Sequence, residues 1–589
     1  MYAIAILLLA ALTPALFALE DPVIKAMKDE MERAKSQLRA GEMVKPYYLQ
    51  YRIDDSTTTS ISATLGVLTG SSTTRGRALT LQVRTGDYSL DNTNFLTARS
   101  FGRTAAVRFL PLDDDYDQIR REIWLATDQA YKEAAREFAA KRTVLETRKY
   151  GAYLPDFTPQ PPIAMLEPRR EIKADRKAAE ALARDVAAVF RGAPDIIESG
   201  VDIVIRDLYT RFLNSEGTVF TRSEPMVAVR VHAGTRAADG MPVRDSFSVS
   251  GRSMEEIKTD GLVERAKSFV AGLLALRSAP TLERYNGPVL FEGVAGGQVL
   301  AEVFAPAIAA ARFPVTDEPQ FETAIPQLFA QMGGTPLTDK LGGRVMPEFL
   351  DLSDHPHLAK FEGVTLLGSR TMDDEGVPTR DLNIVEAGIL KTVLATRTPT
   401  VEAKTSTGSK GVFGAVPCNL FLDARKSQSA AELRQHLLRL AKARGSDFGI
   451  VIRGASEGAL SWAARFAAAA GAAGGLNDVS VAVFKLFPDG REERVRGVEI
   501  SSLTPVSFKD IVAVGDKQVL YQGPHVPTMN AIFAGFGAGN VGGDLFAFGS
   551  FVAPSILFEE VSLKKANMPV PNPPVVPSPL LSSFTQNGK

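Results

Sequence analysis

The chain reads as an α+β protein in two parts, with an α+β N-terminal half and a β-rich C-terminal half. Three observations predict this. Its 589 residues exceed what one hydrophobic core accommodates. Helical and period-two apolar patterns alternate through the first half, whereas strand patterns dominate after Ser278-Ala279-Pro280. The expected organisation is a signal segment at 1–18, an N-terminal domain at 19–280, a C-terminal domain at 281–566 and a Pro-rich tail at 567–589.

The first eighteen residues are apolar apart from Tyr2 and Thr13. Their apolar core, Ala3–Leu12, is short for a membrane span and suits an export signal, with Pro14 breaking the helix and Ala15 and Ala18 as cleavage positions. Asp21-Pro22 is a helix start, and Val23, Met27, Met31 and Leu38 keep helical spacing behind it. Alternation at Tyr47, Leu49, Tyr51, Ile53 and again at Leu79, Leu81, Val83 predicts antiparallel strands. A long helix carries Tyr116, Ile119, Ile123, Ala130, Ala134 and Phe138 on one stripe. After the connector Pro155–Pro168 come a helix at Ile172–Arg191, strands at Val201–Ile205, Tyr209–Leu213 and Val227–His232, and a helix at Leu262–Leu276.

In the second half, Val289-Leu290-Phe291 ends a buried strand, and Val299, Leu300, Val303, Phe304 and Ile308 follow at helical intervals. Ser429-Ala430-Ala431-Glu432 is a capping box whose helix runs to Arg444 and stops at Gly445. Phe448–Ile452 reads as a strand. Val479–Phe487 and Arg494–Ile500 flank the turn Pro488-Asp489-Gly490. The Ala463–Gly475 stretch is too interrupted to span a bilayer, and the tail from Asn567 has the composition of a disordered segment.

Lys plus Arg number 67 against 68 Asp plus Glu, so no global basic field exists to hold nucleic acid. The single cysteine, Cys418, excludes an intrachain disulfide. Asp373-Asp374-Glu375-Gly376 is an acidic, glycine-broken loop leading into Ile384–Lys391, a strand–turn–strand in which Gly388 takes the turn. Asn214-Ser215-Glu216-Gly217 is a second polar turn, with no histidine or lysine at motif spacing to activate Ser215. Thr405–Lys410 lacks phosphate-loop spacing and is rejected as a nucleotide site.

Both turns, and the strand–helix at Phe291, resemble the TldD/PmbA family, over roughly residues 20–565. The resemblance implies a two-domain TldD/PmbA-like fold and, in the catalytic branch, a zinc peptidase motif His-Glu-x-x-x-His completed by a distant cysteine. Here the motif positions hold Phe291, Glu292 and Gly296, so the glutamate is kept and both histidine positions are occupied by non-ligands. The Gly535–Gly549 loop, where the third ligand would fall, contains neither cysteine nor histidine. The pattern is thus nearest the metal-free PmbA/TldE-like branch.

Catalytic and binding candidates are Glu292, as a residual base or a capped carboxylate, and Asp373, Asp374 and Glu375, as binding or structural groups. Asp351, Asp354, His355 and His357 lie close in sequence, and His355 with His357 form an alternative metal pair on one strand face. His232, His436 and His525 are scattered. The expected function is a non-catalytic, peptide-binding subunit or homologue in proteolysis, without a cofactor. Its partners would be unfolded or small peptides, in a homo-oligomer or beside a metal-bearing TldD-like subunit, and it would be exported. The alternatives are a metallopeptidase with zinc on a rearranged site, Glu292 with His355 and His357, and an envelope protein that kept only the fold.

Overall fold

The computed structural model describes residues 21–39, 44–97, 107–149, 153–257, 259–322, 327, 336–411, 414–456, 460, 481–524 and 548–566. The expected signal segment, the Ala463–Gly475 stretch, residues 535–547 of the late loop, His525 and the Pro-rich tail lie outside the described residues.

The N-terminal half is built on a long hairpin, β1 (Pro46–Thr64) and β2 (Val67–Thr85). Strand β3 (Glu198–Asn214) pairs antiparallel with β1, and β4 (Val219–Ser223), β5 (Met226–Arg236) and β6 (Pro242–Gly251) extend the sheet. Two strands were expected over β3, because Arg206-Asp207 interrupts the apolar alternation. They are one strand, since Arg206, Asp207 and Leu208 stay in register with Thr58, Thr57 and Ser56. Helix α1 (Pro22–Gln37), capped by Asp21, and α2 (Tyr116–Arg148) cover one end of the sheet. Met27 and Met31 pack there with Tyr51, Ile53, Ile119 and Ile123. Helices α3 (Arg176–Ala188) and α4 (Leu262–Ser278) cover the other end, where Ala183 and Leu273 meet Ile61, Ile203 and Val231.

The C-terminal half centres on an eleven-stranded mixed sheet among the described residues. Strand β7 (Arg284–Phe291) leads into α5 (Val294–Val299). The expected continuous helix past Phe291 is instead composite: α5 passes into a π turn, Leu300–Phe304, and a 3-10 turn, Ala305–Ile308. Pro306 has no N–H to continue the α ladder, and the Ala305 N–H reaches back to Leu300. Then come β8 (Leu350–Asp354), the hairpin β9 (Leu382–Glu386) and β10 (Ile389–Leu390), and β11 (Asn419–Ala424). Helix α6 (Ala430–Ala443) has both hydrogen bonds of the Ser429–Glu432 capping box.

Strands β12 (Gly449–Ala455), β13 (Val481–Leu486), β14 (Glu492–Val495), β15 (Val498–Ile500), β16 (Ile511–Pro524) and β17 (Phe548–Lys565) complete the sheet. Strand β17 is its keel: it pairs with β7, β11, β15 and β16. Both faces of its neighbour β7 are covered. Phe291 faces the main core with Val299 and Phe304, while Leu290 meets Leu433 and Leu437 of α6.

Candidate functional site

At the end of β7, Phe291 is fully buried, its ring edge-on to Phe558 at 5.5 Å. Glu292 continues the strand, its N–H donating to Ile452 O at 2.8 Å. Its carboxylate accepts from Arg434 Nε at 2.8 Å, Arg434 Nη2 at 3.0 Å and Arg453 Nε at 2.7 Å. Both arginines also pair with Glu492, at 3.3 and 2.6 Å, so four alternating charges lock together. Burial pushes the Glu292 carboxyl up, but the hydrogen bonds and charges of the two guanidiniums outweigh it and hold the group below the usual range. A general base works best near the operating pH and needs a free lone pair. Glu292 is instead an anchored counter-ion.

One turn into α5 the chain touches β17. A β-carbon at Gly296 would lie 2.1 Å from Pro554 O, and one at Gly297 2.7 Å from Tyr521 Cβ. No side chain fits at 296 without displacing backbone. Cys418 is buried elsewhere, with its sulfur accepting from Arg370 Nε at 3.1 Å, and burial pushes its thiol up to about 12 against the pull of Arg370. Phe291, Gly296 and this thiol do not fit a zinc ion. Among the described residues no group of three or more His, Cys, Asp and Glu could hold a metal.

The Asp351–His357 stretch is distributed among separate networks. Asp351 takes Arg425 and the Ala387 N–H, and Asp354 takes the N–H groups of Cys418 and Asn419. His357 Nε2 lies 3.1 Å from Thr379 Oγ1. His355 Nε2 lies 2.9 Å from Ser353 Oγ, and its Nδ1 3.3 Å from Asp381. The two histidines therefore have different partners. Ser353 and Asp381 are residues that sequence reasoning missed. The available signal was Ser-x-His at strand spacing, with an aspartate arriving from the next strand.

The acidic loop and the Asn-Ser-Glu-Gly turn meet at the seam between the halves. Asp373 is fully buried and accepts from the N–H groups of Glu375, Val377 and Lys410 at 2.9, 2.9 and 3.1 Å. It shapes the loop; burial first, then the Glu375 charge, raises its carboxyl. Asp374 binds two N-terminal arginines, Arg52 at 3.0 Å and Arg222 at 2.9 Å. Burial would raise the Asp374 carboxyl, but Arg52, Arg222 and Arg370 hold it well below the usual range. Glu375 accepts the Arg397 N–H at 2.7 Å. The fully buried Arg397 side chain donates to Glu216 at 2.7 Å and Thr158 O at 2.6 Å, and lies 4.0 Å over the Phe157 ring. All three loop carboxylates are thus committed to partners within the chain.

Residues 284–565 match the model of the PmbA/TldA metallopeptidase C-terminal domain. A 60-residue stretch is 45% identical to the "Metalloprotease PmbA homolog" of Haemophilus influenzae, spanning 10% of this chain and 12% of that protein. Three solved structures resemble nearly the whole chain. A candidate modulator of a DNA gyrase from Thermotoga maritima has a TM-score of 0.55 at 17% identity, covering 91% of this chain and 100% of its own. TldE from Thermococcus kodakarensis gives 0.54 at 14% identity over 91% and 99% of the two chains. A candidate modulator of DNA gyrase from Bacteroides thetaiotaomicron gives 0.52 at 14%, over 92% and 98%. At such identities the structural likeness speaks for the fold. The second half is thus similar to the PmbA/TldA metallopeptidase C-terminal domain, and nearly the whole chain shares the fold of TldE and of the two gyrase-modulator candidates.

Proposed function

We propose that this protein is a peptide-binding member of a proteolytic system, non-catalytic as a metallopeptidase because it lacks the zinc ligands of the motif it resembles. The observation that carries the reading is the β7–α5 junction: the two histidine positions of the motif hold a core phenylalanine and a glycine pressed 2.1 Å, at its would-be β-carbon, from Pro554 O. Peptide binding draws support from an available sheet edge. The ten-residue β6 pairs only with β5 among the described residues, and an extended peptide can add to such an edge through backbone hydrogen bonds alone. The ligands would be unfolded or small peptides. The partner would be a second copy or a metal-bearing TldD-like subunit, in an exported compartment.

The test combines elemental mass spectrometry of protein purified without chelators with peptide binding and hydrolysis assays. The expected result is transition metal far below one equivalent, saturable binding of unstructured peptides and no chelator-sensitive hydrolysis. Stoichiometric zinc with chelator-sensitive cleavage would overturn the reading.

A further inference from the structure

Ser353, His355 and Asp381 form a line on the outer face of the C-terminal sheet, a hydrogen bond joining the first two and an ion-pair contact the last two. Ser353 lies in β8 and His355 just beyond its end, and residues two apart in extended chain share a face. Strand β9 runs antiparallel beside β8, with Asn383 opposite Ser353 and Leu382 opposite Asp354, so the next residue back, Asp381, reaches His355. Ser353 Oγ stands 2.9 Å from Nε2, and the Asp381 carboxylate 3.3 Å from Nδ1. The order of contacts matters. A carboxylate at Nδ1 selects the tautomer protonated there, which leaves the Nε2 lone pair facing the serine hydroxyl.

The line is also reachable, with the His355 side chain 36% and Asp381 63% exposed. Asn383 is exposed and directly opposite Ser353, which sets its β-carbon about 5 Å from that of the serine. On the other side Phe421 meets the His355 ring at 5.5 Å and Phe361 at 5.9 Å, an apolar platform beside the hydroxyl.

We propose that Ser353, His355 and Asp381 form a metal-independent acyl-transfer site that hydrolyses small activated esters with apolar acyl or aryl groups. Ser353 Oγ attacks the ester carbonyl while its proton passes to His355 Nε2. The tetrahedral oxyanion, receiving a hydrogen bond from the Asn383 amide, collapses and expels the alcohol oxygen, which takes that proton from His355. Water then attacks the acyl-serine, giving a proton to His355. Collapse of the second intermediate releases the acid and returns the proton to Ser353 Oγ. The net reaction is ester plus water to acid plus alcohol.

The test uses the full chain, in chelator, with p-nitrophenyl acetate and a fluorophosphonate probe. One probe adduct is expected, mapped by mass spectrometry to Ser353, a result that depends on no variant folding. Ester turnover should vanish in Ser353→Ala, and labelling should vanish in His355→Gln. Asn383→Ala should lower kcat about a hundredfold with KM unchanged, as loss of an oxyanion donor does. Asp381 is screened by solvent, so Asp381→Asn should cost only about tenfold. An adduct confined to other residues, no adduct at all, or an unchanged rate in a folded Ser353→Ala protein overturns the proposal. Any of these leaves the peptide-binding reading untouched, since that reading stands on the β7–α5 junction and is tested by metal and peptide.

Discussion

At position 296 the backbone of α5 leaves no space between itself and the Pro554 carbonyl. Placing there the histidine of the motif the chain resembles, Gly296→His, should lower unfolding free energy by about 3 kcal/mol through overpacking, without raising zinc content. Chemical denaturation and elemental analysis of the variant check both parts. Asp374 makes a prediction in pH. Its carboxyl sits below the ordinary 3.8 in the folded protein, so its contribution is complete above that value and is lost as pH falls through and below it. Asp374→Asn should therefore show a shallower loss of stability on acidification. It should also be less stable by about 3–5 kcal/mol at neutral pH, because Arg52 and Arg222 lose a buried counter-charge. Urea midpoints measured across an acid series decide it.

Among elements, the legible ones are those whose information is local. The Asp21 cap, the Ser429–Glu432 box and the β9–β10 turn are each written within a few residues. Ser429→Ala should lower stability by about 1 kcal/mol, read from equilibrium denaturation. Ala387 and Gly388 both adopt positive φ, 46° and 75°, as a two-residue hairpin turn with matching twist requires. A β-carbon at 388 would also meet Met346 O at 2.2 Å. Gly388→Ala should accordingly cost about 1–3 kcal/mol, with a lower melting temperature as the readout. What the sequence concealed was set by long-range contact. The π turn after α5 depends on where Pro306 falls relative to the packed helix, and the unity of β3 on two neighbouring strands that carry it past Arg206-Asp207. Of the Ser353–His355–Asp381 line only Ser-x-His is written locally, because the bulged β8–β9 register delivers its aspartate. Arg52 and Arg222 are covered by the second half of the chain, and Arg397 of that half is covered by Thr158, Glu216 and Phe157 of the first, so their neighbours in sequence carry no sign of it.

Across the whole molecule, those arginines make the two halves one structure. Arg222 also donates to Met372 O, and Arg494 and Arg496 of the C-terminal half reach back to Asp245 and Asp239. Arg397→Ala would leave Glu216 without its buried cation and Thr158 O without its donor. Calorimetry of that variant should resolve two unfolding transitions where the parent shows closer coupling, with the seam weakened by about 3–5 kcal/mol. The position of β17 adds a consequence in time. The N-terminal sheet is complete at Gly251, whereas the strand joining β11 to β7 begins only at Phe548. That gap of roughly 300 residues takes on the order of 15–60 s to synthesise. During that interval the first half can finish folding while the second still lacks its middle strand. The nascent C-terminal chain thus meets Arg52, Arg222 and Glu216 as a finished template, and its acidic loops have a charged mould to settle against.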